Sequence, residues 1–253
     1  MKPSFVVRLS GIDEERFGFR IAKAANIRLG DIPTMLQFCR REYVELLIAR
    51  CSVEELDAVH AMGRVGFDMM DTLVYFVFYL DGAVTSASNA PLLPIRAALP
   101  DEEHLIIDLA YRCFHDYMGH YHSDPRLNRR DCDLAYADWA KRLYQERSAV
   151  SDVLVATHED TPVGFLTLRL NTPAEGEIVL NAVDPSTRNR GVYTSLVQAG
   201  IRWCSDMGAS RLLVSTQITN IPVQRIWSRL GFVPHSASYT FHKWAPASER
   251  ISE

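Results

Sequence analysis

One stretch, EIVLNAVDPSTRNRGVYTSLVQAGIRWC at residues 177–204, constrains this chain more than any other. It reads as a buried strand, a tight loop with two arginines and a glycine, and an amphipathic helix that follows with no gap. That order belongs to an α/β architecture, and it builds an anion site. A helix N-terminus offers unpaired backbone N–H groups carrying partial positive charge. Gly191 lets the backbone come close to a ligand, and Arg188 and Arg190 add charge-assisted contacts. A diphosphate fits such a cradle. The plainer alternative is an ordinary strand-to-helix turn with solvated arginines.

The rest of the chain supplies compatible elements. Runs of β type at 5–9, 45–50 and 72–80 alternate with helical spacing at 32–41 and 53–65, giving a small α/β unit. SVEE at 52–55 carries the capping-box signature for the start of the second helix. Small residues and prolines gather in DGAVTSASNAPLLPIR at 81–96, and the domain boundary falls there, dividing 1–90 from 91–253. Helices follow at 101–114 and near 132–146, then an antiparallel meander of strands at 152–158, 163–169 and 177–183, the first two joined by the turn-forming EDTP. A helix at 192–207, a strand at 211–216 and a helix at 222–230 complete a β-α-β-α order. The two halves are at most distantly similar α/β units.

Composition narrows the function. A hydrophobic content of 47% supports an ordinary globular core, and 27 basic against 31 acidic side chains leave a net charge of −4. That balance disfavours nucleic acid and anionic membrane as partners, so an anion must be met by local arginines and N–H groups. The five cysteines are scattered, lack metal-site spacing and read as reduced packing residues. The apolar run TLVYFVFYL is far shorter than the roughly 20 residues of a membrane helix. With no secretory pattern at the N-terminus, the cytoplasm is the expected compartment.

Taken together, VDPSTRNRGVYTSLV, RLLVSTQ and NIPVQRIWSRLGF resemble the GNAT acetyltransferase core in order, spacing and residue type. The family's Arg/Gln-x-x-Gly-x-Gly/Ala loop maps onto Arg188, Gly191 and Tyr193, so the last small position is replaced by tyrosine. The resemblance implies a GNAT fold: a mixed, mainly antiparallel central sheet flanked by helices, preceded here by a smaller α/β N-terminal domain. It implies acetyl-CoA as cosubstrate and no metal. Asn181, Ala182 and Val183 would pair with pantetheine like an added strand. Arg188, Asn189, Arg190, Gly191, Val192, Tyr193 and Thr194 would hold the pyrophosphate, with Asn220 and Trp227 completing the cofactor site. Such pairing requires the fourth and fifth strands of the core to splay, which a bulge near residues 180–182 would achieve.

More of the chain agrees with one branch of the family, the acetyltransferases of nucleotide-linked amino sugars such as dTDP-fucosamine. The pieces are RFGFRIAKA, GFDMMD, the YHSDPRLN loop and STQITN, spread over both halves. The implied reaction is direct attack of a neutral amine on the thioester in a ternary complex, with no covalent enzyme intermediate. In the family a tyrosine in the helix after the fifth strand protonates the departing thiolate. The matching position is Trp227, and indole cannot serve. Either Tyr239 or Tyr193 replaces it, or the thiolate leaves unassisted. Glu177 and His122 are the candidate bases, acting through water.

His115, His120, Tyr121, His122, Asp124 and Arg126 cluster in one loop, where binding residues are usually mounted. His120, Tyr121 and Arg126, with Gln217, are the expected contacts to a sugar or phosphate; the bland alternative is a solvated loop. The rival readings are an enzyme of the same fold acting on another amine and a non-catalytic acyl-CoA sensor, the second kept open by Trp227. A homodimer formed through the last strands is the expected assembly, if any.

Overall fold

The computed structural model describes residues 4–80, 93–115 and 117–246. In chain order the elements are β1 (Val6–Leu9), α1 (Gly11–Phe17), β2 (Ile21–Ala25), α2 (Ile32–Arg41), β3 (Leu46–Ser52), α3 (Leu56–Arg64) and β4 (Asp68–Tyr79). There follow β5 (Ile95–Ala97), α4 (Glu103–Phe114), α5 (Arg129–Gln145), β6 (Ser151–His158), β7 (Thr161–Thr172), β8 (Glu175–Val183), α6 (Val192–Asp206), β9 (Arg211–Gln217), α7 (Ile221–Arg229) and β10 (Val233–Trp244).

These elements gather into two compact units, and neither is a continuous stretch of chain. One comprises Met1–Val74, Met118–Cys132 and Ser236–Glu253; the other comprises Tyr75–Tyr117 and Asp133–His235. Most of the segment expected to hold a single boundary, 81–92, lies outside the described residues. The division has a physical cause in long-range partners that spacing does not reveal. The loop after α4 places His120, Tyr121 and Asp124 against His242 and Asp13 of the first unit. The end of β4 places Phe76 and Phe78 against Trp227 and Phe232 of the second.

In the first unit β2 pairs antiparallel with β1 and parallel with β3, and β10 runs antiparallel along β3 from Ser238 to Trp244. Ala22, Ala24, Leu47, Ala49 and Phe241 share a core with Met35 of α2 and Met62 of α3. Two elements went unread in the sequence. α1 is only seven residues, ended by Gly18 in the left-handed region (φ 78°), and β2 carries Lys23 at its centre. The expected capping box is a correction. Ser52 ends β3, its hydroxyl accepts the Glu54 N–H at 3.3 Å, and α3 starts only at Leu56 with no side-chain cap.

In the second unit β5 to β8 form an antiparallel succession and β9 joins β8 in parallel. The β6–β7 hairpin turns on Glu159 (φ 48°) and Asp160 (φ 59°), the two left-handed residues of a tight turn whose twist suits paired strands. Between β7 and β8 the register moves from Thr167↔Leu180 to Leu168↔Ile178, leaving Val179 as an extra residue. This is the anticipated bulge, one residue earlier than expected. The Thr167 hydroxyl satisfies it, accepting the Leu180 N–H at 2.9 Å and donating to the Leu180 carbonyl at 3.1 Å. α6 lies close on the sheet because Gly176 and Gly200 carry no side chains there; a Cβ at Gly176 would stand 2.3 Å from the Cys204 sulfur.

Candidate active site

The bulge sets up the site. β8 and β9 pair from Glu175↔Arg211 to Ile178↔Val214, and among the described residues the ladder stops there, immediately before Val179. A bulge bends its strand and ends pairing. The edge of Asn181, Ala182 and Val183 that faces away from β7 therefore leaves β9, while Leu166, Phe165 and Gly164 hold the other edge. Backbone groups left this way need a partner, and a chain of amides laid in the gap would provide one.

Directly after β8 the chain makes a tightly held turn. Asp184 accepts the Ser186 N–H (2.9 Å) and hydroxyl (2.6 Å) on one oxygen, and Arg112 pairs with the other at 3.2 Å. Burial raises this carboxyl, but those bonds outweigh it and hold Asp184 below its usual range. Arg188 points its Nε at the Val183 carbonyl, 3.4 Å away. Asn189 (φ 62°) and Gly191 (φ 75°) are both left-handed, and Gly191 occupies the N-cap of α6 with no side chain to close it. Intrahelical bonding begins with the Ser195 N–H to the Gly191 carbonyl, so the N–H groups of Val192, Tyr193 and Thr194 come before it. Arg188, Asn189 and Arg190 are exposed around them. Three N–H groups at the positive end of a 15-residue helix, ringed by two arginines, suit a diphosphate.

The far side of the gap is β9 and α7. Asn220 stands at the N-terminus of α7 without capping it and donates instead to the Thr216 hydroxyl at 3.0 Å, and Gln224 reaches the carbonyls of Gln217 and Ile218. Trp227 is wholly buried, 5.5 Å from the Phe76 ring. Its indole N–H donates to the Tyr193 hydroxyl at 3.0 Å, a bond from α7 to the first turn of α6. Burial raises the Tyr193 phenol above its usual range, and the indole bond lowers it only in part.

Comparison with known proteins decides what this arrangement is. Residues 109–232 match the acetyltransferase (GNAT) family. That segment, just under half of the chain, carries the likeness to the GNAT acetyltransferases. The spore coat polysaccharide biosynthesis protein SpsD of Bacillus subtilis (strain 168) is 25% identical over 204 residues, 79% of this chain and 67% of that protein. A mycothiol acetyltransferase of Saccharopolyspora erythraea is 26% identical over 157 residues, 60% of this chain but 48% of its own length. The chain thus spans two thirds of the first relative and about half of the second. A crystal structure of a GCN5-related N-acetyltransferase from Sphaerobacter thermophilus superposes with a TM-score of 0.66 at 14% identity, over 98% of this chain and 78% of that one. The fold is therefore GNAT, and the enzyme class is acyl-CoA-dependent N-acyl transfer.

Within this GNAT frame the cofactor candidates Asn181 to Thr194, Asn220 and Trp227 all belong to the second unit, as do Gln217, buried at the end of β9, and Glu177. The Glu177 carboxylate is paired with Arg169 at 2.6 Å. Tyr239, His120, Tyr121, His122 and Arg126 belong to the first unit. Tyr239 packs beside Phe241 on the core of that unit. His122 accepts the Gly119 N–H on Nδ1 at 3.4 Å. Tyr121 is buried and donates to Asp13 at 2.8 Å, and Arg126 binds Asp124 at 2.7 Å and Asp68 at 3.0 Å. The loop that looked solvated or substrate-facing is thus largely folded into a core of hydrogen bonds.

Those bonds run on through two buried histidines. Asp124 can only accept, so His242, 2.8 Å away, presents Nδ1–H to it. Its other nitrogen, Nε2, lies 3.0 Å from His120 Nδ1, so one of these two nitrogens donates to the other. Burial, with the nearby charges of His242 and Arg50, holds His120 well below the usual histidine range. Unfolded histidine takes up a proton near pH 6.5, so below about that pH the unfolded chain binds a proton the folded one refuses, and stability falls. Urea unfolding between pH 8 and pH 5 is expected to show this decline. His120→Gln should flatten it, and an unchanged slope would refute the assignment.

Proposed function

We propose that this GNAT enzyme moves the acetyl group of acetyl-CoA to the primary amine of a nucleotide-linked amino sugar, dTDP-fucosamine being the type of acceptor its sequence most resembles. The observation that carries the cosubstrate reading is the parting of β8 from β9 at the Val179 bulge beside the open N-terminus of α6. Asn181, Ala182 and Val183 pair with the pantetheine amides, and the loop from Arg188 to Thr194 holds the pyrophosphate. A sugar acceptor draws support from a relative that serves polysaccharide biosynthesis and from the sequence pieces in both halves that resemble the amino-sugar branch.

The neutral amine attacks the thioester carbonyl, so no side chain need become acylated, and substrate and cosubstrate must be bound together. The deciding experiment is thiol release from acetyl-CoA against dTDP- and UDP-linked amino sugars, with free amino acids and aminoglycosides alongside. Turnover with a nucleotide amino sugar supports the reading. Turnover with simple amines alone would leave the enzyme class and remove the sugar. Arg188→Ala is expected to weaken acetyl-CoA binding by about 1–3 kcal/mol, the scale of a charged hydrogen bond, and calorimetric titration showing unchanged affinity would displace the pyrophosphate from this loop.

A further inference from the structure

The sheet of the first unit has two faces. One, carrying Ala22, Ala24, Leu47, Ala49 and Phe241, packs on α2 and α3. Side chains alternate along a strand, so the other face carries Arg8 of β1, Lys23 of β2, Arg50 of β3, and Thr240 and His242 of β10. The ladders set these residues side by side: Arg8 stands opposite Lys23, Lys23 opposite Ile48, Ile48 opposite His242, and Arg50 opposite Thr240. Opposed residues of an antiparallel ladder hold their β carbons about 5 Å apart, and like charges so placed destabilise a sheet. Arg8 and Lys23 are such a pair, and Arg50 lies two residues beyond the Ile48 that pairs with Lys23.

The acids on hand do not balance these cations. The Asp13 carboxylate binds Lys23 at 2.5 Å and Arg16 at 3.0 Å, and it also accepts from Ser10 and Tyr121. Asp124 is occupied by His242, Trp244 and Arg126. Arg8 and Arg50 are exposed and, among the described residues, have neither a hydrogen bond nor an ion pair. Their neighbours feel the excess. Burial, reinforced by Arg50 and Arg16, holds the Lys23 ammonium below its usual range in spite of Asp13. Opposite Arg50, the Thr240 hydroxyl is wholly buried and has no hydrogen-bond partner among the described residues. Such an exception in a folded protein calls for a water or an ion nearby.

This face therefore lacks negative charge and has donors to offer. A phosphate group supplies the charge, and the arginine fork matches its oxygens with two parallel bonds. Resting on the acceptor reading above, we propose that Arg8, Lys23 and Arg50 form an anion site in the first unit that holds the diphosphate of the nucleotide-linked acceptor. Lys23, tied to Asp13, is the fixed point charge on the middle strand, and the two arginines reach the oxygens from the strands on either side. The site binds and orients; no bond is made or broken there. Inorganic pyrophosphate carries the same chemistry, so the two sources are separated by experiment.

The test is calorimetric titration of the full chain with dTDP and with pyrophosphate, in an Arg188→Ala background so that the loop before α6 does not compete for phosphate. There Arg50→Ala should weaken both ligands about tenfold, as expected for loss of one charge-assisted bond. Arg8→Ala should act in the same direction, and Arg50→Lys, which keeps the charge, should recover part of the loss. Arg41→Ala removes an exposed arginine elsewhere in the same unit and should change neither affinity. Tighter binding of dTDP than of pyrophosphate supports the nucleotide as the source, and equal affinities overturn it. Absence of binding, or equal losses from Arg41→Ala and Arg50→Ala, overturns the site itself. The site and the acceptor reading fail separately. Turnover of a nucleotide amino sugar with an unchanged KM in Arg50→Ala would remove the site and leave the acceptor. Binding of dTDP that depends on Arg50, without turnover of any nucleotide amino sugar, would leave the anion site and remove the acceptor.

Discussion

Trp227→Ala should lower the free energy of unfolding by about 3–5 kcal/mol, the range for truncating a buried tryptophan. The expected observation is a fall in the urea midpoint at constant slope. Several losses coincide at this residue. The indole is fully buried, stacks obliquely on Phe76 at 5.5 Å and meets Phe232 at 6.5 Å, so truncation opens a cavity between α7 and the end of β4. The Tyr193 hydroxyl also loses the one donor it has among the described residues. Trp227→Phe separates these contributions by keeping most of the packing and removing the N–H, and should cost about 1–2 kcal/mol. Ser228→Ala, on the exposed side of the same helix, should stay within about 0.5 kcal/mol. If Trp227→Ala unfolded at the wild-type midpoint, α7 could not be anchored as described.

The elements of the second unit were legible because each carries a local signal. The meander alternates, the hairpin announces itself in EDTP, and Gly191 stands where a left-handed residue must open α6. The bulge was within reach for a different reason: a resemblance demanded that two strands part, although no residue type marks Val179 as the extra one. What could not be read was every contact whose partners lie far apart in sequence. Tyr121 and Asp13 are 108 residues apart, and His242 and Asp124 are 118 apart. A loop of histidines and acids looks solvated when read along the chain, because its partners on β10 and α1 are invisible from within it. The same blindness put one boundary at 81–96 where the chain crosses between units more than once. Trp227 shows the reverse error of scale. As a departure at one position it looked like a defect in the site, and only the bond to Tyr193, 34 residues earlier, shows what the indole is paired with.

Asp124→Ala is the second substitution expected to be severe, again at about 3–5 kcal/mol, and its cost is of another kind. The carboxylate is 2% exposed and accepts from three side chains, His242 at 2.8 Å, Trp244 at 2.8 Å and Arg126 at 2.7 Å. Alanine removes the acceptor and leaves the donors. Each buried N–H without a partner costs about 1–3 kcal/mol, while the half-exposed Arg126 retains water and Asp68. The effect also propagates, because Asp124 holds the His242 ring, whose other nitrogen is bonded to His120. Asp124→Asn keeps the volume and one acceptor oxygen but sets an N–H₂ against other donors, so it should recover only part of the loss. The acid dependence must change with it. Burial raises the Asp124 carboxyl, but the bonds from His242, Arg126 and Trp244 outweigh that and hold it far below the usual range. Its contribution is therefore complete above the unfolded value near pH 4 and is lost on further acidification. In urea titrations below pH 4, the wild type should lose stability more steeply than Asp124→Asn. Parallel curves would show that this carboxylate is not the one that ties the loop of residues 118–127 to β10.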